Sequence, residues 1–178
     1  MKRIAVIGAG SWGTALGIHA ARAGHEVCLW SHNAAVVESI NSTHLNERYL
    51  TDVQIPENVR ATNSIVESVE GAKLVILAAP SHATRELLNT LKSTLRAEMI
   101  IVSATKGIEI DTGKRISQLV AEVVPGETRP RFVSLSGPSF AREVAEGHPT
   151  AVVAASENRD AGRTVQRAPH ADFHATRR

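Results

Sequence analysis

Gly8-Ala9-Gly10-Ser11-Trp12-Gly13 is the segment whose residue types and spacing speak most directly of chemistry. It matches G-x-G-x-x-G, and each glycine has a mechanical reason. Gly8 permits a tight turn, Gly10 lets backbone approach a pyrophosphate, and Gly13 allows a helix to pack closely on a strand. A helix opening after such a turn offers unpaired N–H groups and its positive dipole end to phosphate. The P-loop pattern G-x-x-x-x-G-K-[ST] fits less well, because Thr14 follows Gly13 directly and the lysine is missing. The pattern therefore points to dinucleotide binding, against a purely structural glycine turn.

A carboxylate about twenty residues past the turn would bind a ribose 2′-hydroxyl and repel a 2′-phosphate. Here Trp30 is followed by Ser31, His32 and Asn33. A 2′-phosphate is tolerated, and a protonated His32 could assist it. NADP(H) is favoured and NAD(H) possible; the plainer reading of His32 is a solvent-facing loop histidine.

Three further segments fall beyond predicted strand ends: 79–82 (Ala-Pro-Ser-His), 104–107 (Ala-Thr-Lys-Gly) and 136–141 (Ser-Gly-Pro-Ser-Phe-Ala). Lys106 is a lone cation between an apolar strand and a glycine, suited to an anionic group, though a surface lysine would look the same. Gly137 and Ser139 are expected to open a helix and hold an oxyanion, or merely to cap it. Ala141 breaks the G-x-S-x-G elbow of hydrolases, so Ser139 is not read as a nucleophile. His170 and His174 are four apart without Cys or Glu support, and no metal site is expected.

The elements that must position these groups alternate. An apolar strand over 2–7 leads through the glycine turn to a helix over 12–22 and a strand over 26–30, a βαβ unit of about thirty residues. Helices over 33–41, 83–95, 111–124 and 140–146 alternate with strands over 73–79, 99–103, 132–135 and 151–154. This predicts an α/β, Rossmann-type doubly wound, mostly parallel sheet with helices on both faces. The polar stretch 42–58 reads as a long loop lying over a site. A domain is expected over 1–155. A helix is possible over 159–167, but 156–178 is read as an aberrant, disordered tail.

Aromatic residues make up 3% of the chain, so the core must be built from Ala, Val, Ile and Leu. A net charge of +2 gives no reason to expect nucleic acid. The single cysteine, Cys28, reads as a small buried hydrophobe in a reducing compartment. The apolar N-terminus is broken at once by glycines, so neither a signal peptide nor a membrane span is expected, and the protein is read as cytoplasmic.

Together, 7–16 (Ile-Gly-Ala-Gly-Ser-Trp-Gly-Thr-Ala-Leu), 24–30, 46–50 (Asn-Glu-Arg-Tyr-Leu), Pro80-Ser81, 104–109 (Ala-Thr-Lys-Gly-Ile-Glu) and 136–141 resemble bacterial NAD(P)-dependent glycerol-3-phosphate dehydrogenases, from Met1 to about Ala155. The glycine turn is shared with many dehydrogenases; the last two segments are much more specific. The resemblance implies hydride transfer between dihydroxyacetone phosphate and sn-glycerol 3-phosphate, feeding phospholipid synthesis. By the same resemblance Ser11, Trp12, His32 and Tyr49 line the cofactor, and Ala141 touches it. Lys106 meets both cofactor and substrate, while Gly137 and Ser139 meet the substrate. It also implies a helical second domain carrying the proton-transfer lysine, which nothing after Ala155 matches; no catalytic residue is assigned in this chain. The expectation is a cofactor-binding chain with little turnover alone and an apolar face left open, with homo-oligomers possible. Two alternatives remain: a non-catalytic dinucleotide-binding module, and a fragment of a 6-phosphogluconate or β-hydroxyacid-type dehydrogenase. The latter should lack the paired 104–107 and 136–139 segments.

Overall fold

Strand β1 (Arg3–Ile7) is apolar from Ile4 onward because both faces of the strand are covered there. Ile4 and Val6 belong to one core layer, and Ala5 and Ile7 to the other. That alternation is the two-residue period of a strand. Complete burial of an Ile or Leu side chain is worth about 1.5–3 kcal/mol, so the two layers together fix the register of β1.

The computed structural model describes residues 2–168. After β1 come α1 (Ser11–Arg22), β2 (Glu26–Trp30), α2 (Ala34–Thr43), β3 (Val59–Thr62), α3 (Ile65–Val69), β4 (Leu74–Leu77) and α4 (Ser81–Leu91). They are followed by β5 (Ile100–Ser103), α5 (Ile116–Val123), β6 (Arg131–Ser136), α6 (Ala141–Glu146), β7 (Val153–Ala155) and α7 (Arg159–Arg167). The seven strands form one sheet in the order β3-β2-β1-β4-β5-β6-β7. All pairs are parallel except β6 with β7. The direction of winding reverses between β1 and β4, the place where open α/β sheets bind ligands beyond the carboxyl ends of their strands.

Helices α1, α2, α6 and α7 bury their apolar stripes in one layer. Helices α3, α4 and α5 do so in the other. Cys28 lies buried in β2, and burial is the main cause pushing its thiol up.

The expected architecture is present, with four differences. Strand β3 and helix α3 lie between the loop read over 42–58 and the strand read from 73, where no element was expected. Helix α5 starts at Ile116, because residues 110–112 form a turn and Gly113 adopts φ 66°. Strand β7 begins at Val153 and runs antiparallel to β6. The boundary expected at 155 also falls short: α7 buries Ala161, Gly162 and Val165 against the first layer, and Asn158 caps it through the Ala161 amide. Residues 156–168 are thus ordered, whereas the tail expected over 169–178, with His170 and His174, lies outside the described residues.

Candidate functional site

The first α-helical bond of α1 runs from the Thr14 N–H to the Gly10 carbonyl at 2.9 Å. The amides of Ser11, Trp12 and Gly13 therefore precede the intrahelical ladder. Gly10 caps the helix with no side-chain bond. The turn that presents this end depends on backbone shape. Gly8 holds φ 118° and its backbone passes close enough to Ala78 that a Cβ would meet the Ala78 carbonyl carbon at 3.0 Å. A Cβ on Gly13 would meet the Gly8 carbonyl oxygen at 1.8 Å, whereas one on Gly10 would meet nothing within 4 Å. Gly13 therefore closes the helix onto the strand from behind, and Gly10 leaves open the space a phosphate needs.

That space is a groove of about 920 Å³. The glycine turn from Gly8 to Trp12 forms its floor, Trp30 and His32 one end, Pro80 to Ala83 the opposite wall, and Tyr49 and Lys106 its rim. Among its lining residues Glu86 is the one carboxylate. The Trp30 indole N–H donates to the Asn63 carbonyl at 3.1 Å, which fixes that ring, and its centroid stands 6.3 Å from that of His32. The turn thus fits the pyrophosphate of a dinucleotide, and the end beside Trp30 and His32 fits its adenosine half.

At the other end the Trp12 indole N–H donates to the Ala104 carbonyl at 3.2 Å. Lys106 Nζ lies 5.6 Å from the centre of the same ring and donates to the Ser139 carbonyl at 3.4 Å. These contacts tie together the loops that follow β1, β5 and β6. A second hollow of about 370 Å³ adjoins the groove, shares Ser11 and Tyr49 with it, and is completed by Arg48, Phe140, Ala141 and Arg142. Arg48 stacks over Tyr49, 5.4 Å from its centroid.

The structure therefore brings Gly8, Gly10, Ser11, Trp12, His32, Tyr49 and Lys106 to one groove and Ala141 to its neighbour. Gly13 supports the turn without lining either hollow. Gly137 and Ser139 also line neither. A Cβ on Gly137 would meet the Ala151 carbonyl at 2.7 Å, so its bareness serves the close passage of the segment leading to β7. The expectation that Gly137 to Ser139 open or cap a helix is corrected. Phe140 occupies the N-cap of α6, and the Ser139 hydroxyl donates to the Gly137 carbonyl at 3.4 Å. Ser139 meets the site through its carbonyl on Lys106.

The Lys106 loop has a support that sequence reasoning missed. Arg85 on α4 grips Glu109 with a two-pronged contact, Nε to Oε1 at 2.8 Å and Nη2 to Oε2 at 2.9 Å. The Glu109 side chain is only 7% exposed and also accepts from the Thr112 hydroxyl. Hydrogen bonds from Arg85 first, then Thr112, hold its carboxyl down at about 2. Arg85 reaches Glu122 as well, at 2.8 Å, and Glu122 pairs with Lys114. Glu109 stands inside the 104–109 segment singled out above, but nothing in a lone acid within a loop announces its partner on another helix.

Among the described residues no group of three or more His, Cys, Asp or Glu could hold a metal ion, and no helix is long and apolar enough to cross a membrane.

Known proteins resemble this chain in both sequence and fold. A glycerol-3-phosphate dehydrogenase [NAD(P)+] from Koribacter versatilis is 46% identical over 167 residues, which cover 93% of this chain and 50% of the relative. One from Chlorobium phaeobacteroides is 42% identical over 168 residues, covering 94% of this chain and 50% of that protein. The crystal structure of glycerol-3-phosphate dehydrogenase from Coxiella burnetii superposes with a TM-score of 0.89 at 32% identity, over 98% of this chain and 54% of that one. The chain thus spans about half the length of the relatives it matches. The sequence model for the N-terminus of NAD-dependent glycerol-3-phosphate dehydrogenase matches residues 3–162, from β1 into α7, so with its glycine turn at the β1–β4 switch point the chain belongs to that family.

Proposed function

We propose that the groove binds a nicotinamide dinucleotide, with NADP(H) favoured and NAD(H) accepted. We further propose that the chain is the cofactor half of an enzyme interconverting dihydroxyacetone phosphate and sn-glycerol 3-phosphate. One observation carries the reading: the open N-terminus of α1, bared by Gly10, lies at the β1–β4 switch point in a groove with a single lining carboxylate. Relatives sharing over two-fifths of their residues with this chain are named for NAD(P)+ and for glycerol 3-phosphate, which supports the reading.

The chain's own residues then have distinct tasks. The amides of Ser11 to Gly13 hold the pyrophosphate. The absence of a carboxylate over residues 31–33 leaves room for a 2′-phosphate, with His32 beside it. Bound cofactor supplies or accepts the hydride. Lys106, drawn toward Trp12 and the Ser139 carbonyl, presents its ammonium where an anionic substrate meets that end of the groove. Placing cofactor and substrate within reach of each other is most of what such a site must do before proton transfer. No group lining the groove is assigned the proton transfer, so these residues by themselves are expected to bind cofactor with little turnover.

Calorimetric titration with NADPH and NADH, followed by dihydroxyacetone phosphate and an absorbance assay, tests this. Saturable binding that favours NADPH, with oxidation absent or very slow, is the expected result. No binding of either dinucleotide overturns it, and turnover at an ordinary dehydrogenase rate overturns the assignment of proton transfer elsewhere.

A further inference from the structure

The segment over 44–56, part of the stretch 42–58 expected as a polar loop over the site, is anchored at several points. Its base closes where the Ile55 N–H donates to the His44 carbonyl at 2.9 Å, and Leu50, Val53 and Ile55 are buried in the first core layer. At its centre Asn46 is 0% exposed, a position a polar side chain occupies only when its bonding capacity is met. The Asn46 carboxamide N–H₂ donates to the Ala9 carbonyl at 2.9 Å and to the Thr14 hydroxyl at 2.8 Å. Its oxygen accepts from the Tyr49 N–H at 3.2 Å. The orientation of the amide is dictated by its partners, since the Ala9 carbonyl only accepts and the Tyr49 N–H only donates. The Asn46 main-chain carbonyl accepts from the Leu50 N–H at 3.0 Å, so one residue organises the tight turn that carries Arg48 and Tyr49.

The two segments joined in this way are the ones that form the candidate cofactor groove. Ala9 lies inside the glycine turn, Thr14 begins the hydrogen-bond ladder of α1, and Tyr49 stands on the rim. We propose that Asn46 is a positioning residue for the dinucleotide, a buried carboxamide that locks the phosphate-binding turn to the Tyr49 loop so that floor and rim keep one relative placement. The inference rests on the cofactor reading of the groove. Without the lock, the turn loses its side-chain tie to the Tyr49 loop and the rim its fixed distance, and each binding event must order both segments afresh.

Asn46→Asp keeps the size of the side chain but removes both donors and sets a carboxylate against the Ala9 carbonyl. Hydrogen exchange on the cofactor-free protein is expected to rise together at residues 9–14 and 47–51, with β4 and β5 unchanged. The NADPH Kd is expected to rise about tenfold, as for one buried bonded brace removed. Thr14→Val, which deletes one acceptor at nearly constant shape, reads the same coupling if Asn46→Asp does not fold, while Thr14→Ser keeps the oxygen and is expected to behave as wild type. Asn58→Asp is the control. Its carboxamide likewise donates to two carbonyls, Ala21 at 2.8 Å and His25 at 2.7 Å, but far from the groove. It is expected to lower thermal stability and leave the NADPH Kd unchanged. Unchanged exchange and Kd in Asn46→Asp and Thr14→Val, or an equal rise in Kd from Asn58→Asp, overturns the proposal. Wild-type protein that binds neither dinucleotide overturns the cofactor reading instead; the exchange comparison, made without cofactor, then still decides whether Asn46 couples the two segments.

Discussion

Lys106 stands 5.6 Å from the centre of the Trp12 ring, and that ring donates its N–H to Ala104, two residues before the lysine. The glycine turn and the β5 loop are thereby held to each other by one indole. Lys106→Met should preserve the fold, shift the Trp12 emission and raise the NADPH Kd about tenfold, the scale of one lost charge-assisted contact. An unchanged Kd measured by calorimetry removes Lys106 from the cofactor's surroundings.

The glycines of the turn are not equivalent. Gly13→Ala places a Cβ 1.8 Å from the Gly8 carbonyl, so the helix must move off the strand. A loss of about 2–4 kcal/mol in urea unfolding is expected, in the range of severe core disruption. Gly10→Val meets no protein atom within 4 Å of its Cβ and should fold normally, yet it fills the space proposed for the pyrophosphate and should abolish dinucleotide binding. A Gly10→Val protein that folds and still binds NADPH contradicts the placement.

Acid should loosen the Lys106 loop through Glu109. Its folded-state carboxyl lies at about 2, against an ordinary 4.5, because Arg85 and then Thr112 bond the ionised form. A depressed carboxyl contributes stability that is complete above the ordinary value and is lost as pH falls toward 2. Wild-type urea midpoints should therefore drop across that window. Glu109→Gln should start lower at neutral pH and drop less, with a residual slope from Glu122 and Glu67, whose carboxyls are also held low. Parallel pH profiles for the two proteins would contradict this.

The choice between cofactors should be movable at the end of β2. His32→Asp sets a carboxylate beside the proposed 2′-phosphate position and should weaken NADPH by about tenfold or more while sparing NADH. Equal losses for both dinucleotides, read by parallel titrations, would place the 2′-phosphate elsewhere.

What could be read from the sequence follows the physics of burial. Strands β1, β2, β4 and β5 carry apolar runs, interrupted only at an end by Arg3, Glu26 and Ser103, because they are central and parallel, and the glycine turn announces itself by spacing. Strand β3 (Val-Arg-Ala-Thr) sits at the edge with Arg60 exposed, so neither a run nor a clean alternation marks it. Helix α3 has five residues, too few to show a period. Helix α7 has a narrow stripe of Ala161, Gly162 and Val165 in otherwise polar sequence, which reads as tail until β6 and β7 are there to receive it. The site divides in the same way. Motif residues on the groove floor were legible, whereas Asn46 and the Arg85–Glu109 pair act across sequence separations of 37 and 24 residues, and pairing at that range leaves no local signal.

Both tryptophans of the chain, Trp12 and Trp30, line the groove. Their emission overlaps the absorption of a reduced nicotinamide, so a dinucleotide bound there must quench them. The most direct measurement is a titration of tryptophan emission with NADPH in the wild type, Trp12→Phe and Trp30→Phe proteins. Saturable quenching in all three, with a common Kd in calorimetry for the wild type, is the predicted result. Calorimetric binding of NADPH that leaves both indoles unquenched would contradict the account, because the dinucleotide would then lie outside the groove built on the glycine turn.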